Sequence, residues 1–191
     1  AWTMHRESES KGPAGYSEAD MKEILLLACA LALTAGAAMA LEVTPLQIGV
    51  AGTKAQLFAA ETRVMGLRLN IACSDNDDVT GIDVGLVGLG RRMDALQLNL
   101  VNRVDAEFAG VSVGLFGEIG SLAGIQAGLF NTVTHDMSGF QLGVFNTADS
   151  VMGIQVGLIN RAVTLRGLQL GLINLVEEGP LTFFPVLNFA F

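Results

Sequence analysis

An eight-residue unit that recurs at a short and nearly constant interval is the feature that most constrains how this chain can fold. Its clearest copies read Gly-x-Gln-x-Gly-x-x-Asn and begin at Gly124, Gly139, Gly153 and Gly167. Degenerate copies extend the array to ten units, which begin at residues 45, 66, 81, 95, 110, 124, 139, 153, 167 and 181. A repeat this short is one structural element, so the array predicts an architecture in which neighbouring units pack on one another.

The pattern within the unit predicts β-strands. Positions two, four and six are Ile, Leu, Val, Phe or Ala almost without exception, while positions one, three and five are Gly, Gln and Gly. Such alternation is typical of a strand with two unlike faces, because successive side chains point to opposite sides. Short polar clusters, such as residues 134–136 and 149–150, indicate turns between the strands. The one long connection, residues 53–65, is interpreted as a larger loop or a short helix.

Two all-β architectures can use a repeat of one strand. The first is an up-and-down antiparallel β-meander that closes as a small, about ten-stranded outer-membrane β-barrel, whose strands alternate between lipid and lumen. Phe140, Leu142 and Val144 would then face lipid, and the spacings of 15 and 14 would correspond to two-residue and three-residue hairpins. The alternative is a parallel β-solenoid of 14–15-residue coils, with the apolar face in a dry core and Gln and Asn stacked outside.

The C-terminal residues favour the barrel. Apolar residues alternate up to the last position, and a terminal Phe in such a pattern resembles the assembly signal of bacterial outer-membrane barrels. A solenoid would instead be expected to end in a polar capping repeat, and so short a coil leaves little room for two sides and two corners. We therefore expect the barrel, with Phe189 and Phe191 as the candidate assembly signal.

The first forty residues differ from the array in composition. Residues 1–20 are polar and aperiodic and are interpreted as a non-native or upstream leader. Residues 21–40 combine a Lys, an apolar stretch and a terminal Ala-Met-Ala, which are the parts of a signal peptide, with a membrane anchor as the alternative. Residues 41–191 then form a single repeat-built β domain. Cleavage after Ala40 would leave Cys73 as its one cysteine, so no intrachain disulfide is expected.

Charge and composition argue against several classes of function. The formal net charge of −8 at pH 7 argues against nucleic acid as a partner, because phosphate binding needs a basic face. His135 and Asp136 form the one His–carboxylate pair of the β domain and are too few for a catalytic set. Residues 75–78 lack the Gly and Glu of a calcium loop, and residues 85–90 lack the spacing of a nucleotide loop. We predict no enzyme activity, no cofactor and no metal site.

A column of glutamines at the third unit position forms the candidate lumen lining. These side chains would either hydrogen-bond between neighbouring strands and fill a narrow interior, or line a polar lumen that passes or holds small solutes. Arg68 and Asp83 occupy the same unit position in successive repeats and predict an internal ion pair. The glutamines of the column are Gln47, Gln97, Gln126, Gln141, Gln155 and Gln169.

The repeats also resemble a known family. The Gly-x-Gln-x-Gly-Leu-x-Asn units, with the ending Pro-Leu-Thr-Phe-Phe-Pro-Val-Leu-Asn-Phe-Ala-Phe at residues 180–191, resemble bacterial surface-repeat proteins presumed to sit in the outer membrane. The resemblance covers residues 66–191, is strongest from residue 124 onward, and implies a location but no chemistry.

The resulting hypothesis is a bacterial outer-membrane or cell-surface protein, exported by its signal peptide, with a structural, adhesive or narrow-pore role. Its expected partners are membrane lipid and the outer-membrane assembly machinery, and its oligomeric state is left open. The alternative is a secreted β-solenoid that acts as a surface adhesin or a self-assembling protein.

Overall fold

The structure, a computed structural model, describes residues 42–179 and 182–190. It contains one seven-stranded sheet whose strands are hydrogen-bonded in chain order. The described residues contain no helix, and residues 53–62 form a loop of turns, bends and isolated bridges. The strands are β1 (Val43–Gly49), β2 (Arg63–Val113), β3 (Phe116–Ala127), β4 (Phe130–Leu142), β5 (Phe145–Val156), β6 (Ile159–Val176) and β7 (Phe183–Ala190).

Strand direction distinguishes the two architectures. Neighbouring strands from β1 to β6 are parallel, and among the described pairs only β6 and β7 run antiparallel. The chain therefore winds in successive coils that stack along one axis, which makes the fold a parallel β-solenoid. The expected antiparallel meander and its closure as a ten-stranded barrel are wrong. The alternative, a parallel solenoid of 14–15-residue coils, is confirmed.

Glycine occupies the first unit position in seven of the nine coils that begin at residues 45 to 167, and it lets the next coil approach. Equivalent glycines lie side by side, with Gly153 between Gly139 and Gly167. Their φ angles are 138° for Gly139, 149° for Gly153 and 141° for Gly167, values that residues with a Cβ atom rarely adopt. A Cβ atom on Gly153 would also lie 2.0 Å from the carbonyl oxygen of Gly139. This glycine therefore permits both an unusual backbone conformation and a close backbone contact.

The difference between the two repeat spacings arises from a bulge in the sheet. Between β4 and β5 the register runs from the pair Val133 and Ala148 directly to the pair Asp136 and Ser150. Two residues of β4 thus lie opposite a single residue of β5, which is the geometry of a β-bulge. Between β5 and β6, where the repeat is one residue shorter, the same region shows no register shift. The interpretation as two-residue and three-residue hairpins is therefore wrong.

So short a coil can close because its regular strand geometry is interrupted at more than one place. The first bend is the glycine of position one, and the second lies at positions five and six, for example at Gly143 and Val144. In the 15-residue coils the bulge described above adds a further irregularity. Side chains point inward from positions three, eight and ten and from position thirteen, or fourteen in the 15-residue coils, so each short side of the coil contributes to the interior.

The interior is half apolar and half polar. The apolar half is a continuous cluster of buried side chains from position ten and from position thirteen, or fourteen in the 15-residue coils, which includes Ile119, Met137, Val151 and Leu165. The polar half consists of buried Gln and Asn side chains from positions three and eight. This arrangement reverses the facing expected for a solenoid, in which Gln and Asn were placed outside. Side chains at positions two and four point away from the side chain at position three, because successive residues of a strand alternate between its two faces. When the glutamine at position three points inward, the apolar side chains at positions two and four therefore lie on the surface.

The last strand ends the stack. β7 runs antiparallel to β6, with Phe189 opposite Leu168, and it is an edge strand of the sheet. It contains Pro185, which has no N–H group to donate, and Val186, which has a φ angle of 71°. Both features hinder the pairing of a further strand on an exposed sheet edge.

Strand direction can be tested by disulfide trapping in a background in which Cys29 and Cys73 are replaced by Ser. Ser138 pairs with Met152, and Met152 pairs with Arg166, at exposed positions of three successive coils. Paired strands lie about 4.8 Å apart, and disulfides tolerate Cα separations up to about 7 Å. We expect Ser138→Cys with Met152→Cys to crosslink within the chain under mild oxidation.

The matched control joins Ser138→Cys to Arg166→Cys, two strand spacings or about 9.6 Å apart, and should stay reduced. The measurement is the mobility of the unreduced chain in a denaturing gel. A crosslink in the control but not in the test pair would contradict the parallel stacking.

Candidate functional site: the polar interior and the apolar outer face

The glutamine column lies in the interior and forms a hydrogen-bonded ladder. All six predicted glutamines are at most 1 % exposed. Gln155 Nε2 donates to Gln141 Oε1 at 2.7 Å, and Gln169 Nε2 donates to Gln155 Oε1 at 2.8 Å. Gln141 Nε2 donates in the same way to Gln126 Oε1 at 2.9 Å. The amides of these four residues are therefore bonded to one another and fill the interior of the coils.

Gln47 and Gln97 end or interrupt this ladder and use other partners. Gln47 donates to the carbonyl oxygen of Phe58 at 2.9 Å and accepts from the Phe58 N–H at 3.0 Å, so the long loop replaces a coil as its partner. Gln97 donates to the Asp83 carboxylate at 3.0 Å and accepts from Ser112 Oγ at 3.1 Å. The structure thus brings the six residues into one column, with only four in an unbroken amide chain.

A second ladder, of asparagines, runs beside the first; the solenoid alternative predicted stacked asparagines, but on the outside of the coils rather than in the interior. Asn146 Nδ2 donates to Asn160 Oδ1 at 2.8 Å, and Asn160 Nδ2 donates to Asn174 Oδ1 at 2.8 Å. Each of these donors also reaches a main-chain carbonyl oxygen, as Asn146 does to Val156 at 2.9 Å. The recurrence of Asn at position eight was the available signal. A buried amide that finds its partner in the next coil loses little free energy on burial, which explains why polar side chains fill this half.

Both ladders are interrupted in the coil that begins at Gly110. That coil has Ser112 in place of Gln and Gly117 in place of Asn. The neighbouring coil correspondingly contains two buried atoms without a hydrogen-bond partner, Gln126 Nε2 and Asn131 Oδ1. An unpaired buried polar atom destabilises a fold by about 1–3 kcal/mol. The break at the coil that begins at Gly110 therefore weakens the polar interior there.

The predicted ion pair between Arg68 and Asp83 is confirmed, and it is fully buried. Arg68 Nε and Nη2 contact the two oxygens of Asp83 at 2.7 and 2.9 Å. Asn70 and Asn99 donate to the same carboxylate at 2.6 and 2.8 Å. Burial alone would raise the pKa of Asp83, but the hydrogen bond and charge of Arg68, with the donors Asn99 and Gln97, leave that pKa below its ordinary value.

The ion pair does not form a reaction centre. Arg68 Nη1 donates at 2.7 Å to the carbonyl oxygen of Leu89, so its guanidinium is bonded on both sides. Every contact of Asp83 described above is a hydrogen bond to a buried neighbour. The pair replaces two members of the glutamine column and links their coils, which is a structural role.

The side chains of the remaining polar motifs do not converge on one site. His135 and Asp136 are exposed, and His135 Nδ1 lies 3.1 Å from Thr134 Oγ1 of the same segment. In residues 75–78 the side chains diverge, because Asn76 is buried and donates to the carbonyl oxygens of Ala59 and Thr62, while Asp78 pairs with Arg63 outside. Among the described residues no group of three or more His, Cys, Asp or Glu is placed to hold a metal ion.

The candidate assembly signal is only partly within the described residues. Phe189 lies on β7 with more than half of its surface exposed, on an antiparallel end strand rather than on a barrel strand. Phe191 lies outside the described residues, as do the predicted leader at residues 1–20 and the signal peptide at residues 21–40. No helix in the described part of the chain is long and apolar enough to cross a membrane.

The most unusual surface is one that we call the apolar face, formed by unit positions two, four, six and seven of the coils that begin at residues 45 to 167. None of these positions is buried and none carries a charged side chain. Three rings stack along it: Phe130 lies 5.2 Å from Phe116 and 5.0 Å from Phe145, with the planes within 4° of parallel. Its most exposed large side chains are Val50, Ile71, Leu86, Leu100, Phe116, Leu142, Leu158 and Leu172.

Comparisons with known proteins add no assignment to this geometry. No protein-family model, curated protein or solved structure matches the chain.

Proposed function

We propose that this chain is an exported, cell-surface β-solenoid with a structural role, either adhesive or self-assembling, and without catalytic activity. The observation that supports the proposal most directly is the apolar face. A monomeric soluble protein rarely exposes a contiguous apolar patch larger than a few hundred Å², and such patches usually mark interaction sites. Here the patch extends along the stacked coils from residue 46 to residue 173.

The interior supports the same proposal. Its Gln and Asn amides are bonded in ladders, and Arg68 and Asp83 are bonded to each other. These are the groups that a catalytic site or a polar passage would need to present to a solute. Because they are engaged in holding adjacent coils together, the outer surface is the part of the molecule that remains for function. The acidic net charge of −8 also favours a partner other than nucleic acid.

Surface location can be tested by labelling intact cells that express the full chain. In a background with Cys29 and Cys73 replaced by Ser, Ser138→Cys places a thiol at an exposed position away from the apolar face. We expect a membrane-impermeant maleimide to label it on intact cells. Val151→Cys, one of the interior residues of the next coil at 1 % exposure, should stay unlabelled until the protein is denatured. Labelling of Ser138→Cys only after lysis would contradict the proposed surface location.

A further inference from the structure

We propose that the apolar face is covered by the apolar face of a second copy of this chain, so that two solenoids pack face to face as a closed dimer. This inference rests on the proposed structural role, because it names the partner that the face takes. The two statements fail separately, since a surface protein need not be a dimer.

The size of the face fits a dimer interface. The unit starts from residue 45 to residue 167 are separated by about eight strand spacings of about 4.8 Å, which gives a length of about 38 Å. Positions two to seven span about 17 Å at about 3.3 Å per residue. The area measured along the backbone, across the bend at positions five and six, is therefore about 650 Å², and the accessible area is larger because side chains protrude from it. A stable pairwise interface buries about 800 Å² on each partner.

The relief of the face is suited to a copy of itself. Side chains at equivalent positions of paired coils repeat at the strand spacing, as the stacked rings of Phe116, Phe130 and Phe145 show with separations of 5.2 and 5.0 Å. Two surfaces with the same repeat can interdigitate along their whole length, as the inner faces of a β-sandwich do at a separation of about 10 Å. A lipid surface has no such repeat to match.

The distribution of charge favours a protein partner over a membrane. Segments that lie on membranes carry Lys and Arg beside their apolar face, which attract anionic headgroups. Lys54 is the one lysine among residues 42–179 and 182–190, and the chain carries 19 acidic against 11 basic residues. Arg63, Arg92 and Arg161 are each paired with an acidic residue, Asp78, Glu107 and Glu177 respectively. Little positive charge is left to hold this face against an anionic bilayer.

The symmetry of such a dimer identifies the residue to test. In a closed dimer both copies use the same patch, and the two-fold axis lies in the interface. Whether the solenoids run in the same or in opposite directions, the middle coil of one copy then faces the middle coil of the other. Of the nine coils that begin at residues 45 to 167, the middle one begins at Gly110. In this coil Leu115 is exposed on the apolar face, and Ala123 is exposed outside it.

The test is sedimentation equilibrium of the chain purified from expressing cells, with Leu115→Asp as the variant and Ala123→Asp as the matched control. We expect a dimer whose Kd rises at least about tenfold with Leu115→Asp, because a charge is buried at the centre of the interface. Ala123→Asp should leave the Kd within about twofold. Circular dichroism verifies that each variant keeps its β-sheet spectrum, and Ile154→Asp on the same face replaces Leu115→Asp if that variant fails to fold.

A second arm adds vesicles of phosphatidylcholine, with and without phosphatidylglycerol, and measures co-sedimentation. A monomer that binds vesicles through residues sensitive to Leu115→Asp would overturn the proposal in favour of a lipid partner. Two further outcomes would overturn the proposal as well. One is a chain that stays monomeric and does not bind vesicles, and the other is a polymer whose size increases with concentration beyond two copies.

Discussion

Replacing Gly153 by alanine is expected to destabilise the solenoid by at least about 3 kcal/mol. The added Cβ would lie 2.0 Å from the carbonyl oxygen and 2.9 Å from the carbonyl carbon of Gly139, both main-chain atoms that cannot rotate away. Its φ of 149° is a further obstacle, because alanine rarely adopts such values. The coils on either side would have to separate, with loss of the ladder bonds that cross the gap. Urea unfolding followed by circular dichroism measures the change.

Gly52→Ala is the matched control for this substitution. Gly52 also has a positive φ, 62°, but a Cβ there would meet no atom within 4 Å. The expected loss is about 1 kcal/mol, from backbone conformation alone. Equal losses for the two variants would mean that the approach of the coils at Gly153 is not the constraint described above.

Removal of the buried arginine is expected to have a still larger effect. Arg68→Gln leaves the Asp83 carboxylate without its cation in a site that excludes water, and breaking a buried ion pair in this way costs about 3–5 kcal/mol. Changing both residues, Arg68→Gln with Asp83→Gln, should recover most of that loss. Glutamine is the residue that most other coils place at this position, so the double variant extends the amide ladder toward Gln47 and Gln97.

The same pair predicts a dependence of stability on pH. The pKa of Asp83 is lower in the folded chain than its ordinary value of about 3.9. Its contribution to stability is therefore complete above that value and is lost as the pH falls through the lower, folded pKa. We expect the wild-type chain to lose more stability than the double variant when the pH is lowered below about 4, as measured by urea midpoints. Parallel pH profiles would show that Asp83 is not the group responsible.

The strands could be predicted from the sequence because their signal is local. Alternation in the unit predicted an all-β chain, and equal unit positions in Arg68 and Asp83 predicted an ion pair that the structure contains. The barrel hypothesis also placed Phe140 and Leu142 outside and Gln141 inside, which is the facing that the solenoid shows. These features depend only on which side of a strand a residue occupies.

Strand direction could not be obtained in this way. Parallel and antiparallel sheets share the same alternation of side chains. The fifteenth residue of a longer repeat, which places residues 134 and 135 opposite a single residue of the next strand, is compatible with a hairpin as well as with a bulge. The deciding contact is the approach of the Gly139 carbonyl to Gly153, which exists only when successive coils are stacked. The bonds of the asparagine ladder depend on the same stacking, since Asn146 meets Asn160 only across coils.

The closing strand has a consequence for how this molecule can change its length during evolution. β7 pairs with β6 alone, so the coils before β6 do not contact it. Duplication or loss of a block such as residues 153–166 would lengthen or shorten the stack by about 4.8 Å and leave the terminal strand in place. The extent of the apolar face would change in proportion. Gain or loss of repeats in the gene can therefore change the length of the solenoid in steps of one coil, while the sequence of the terminal strand stays the same.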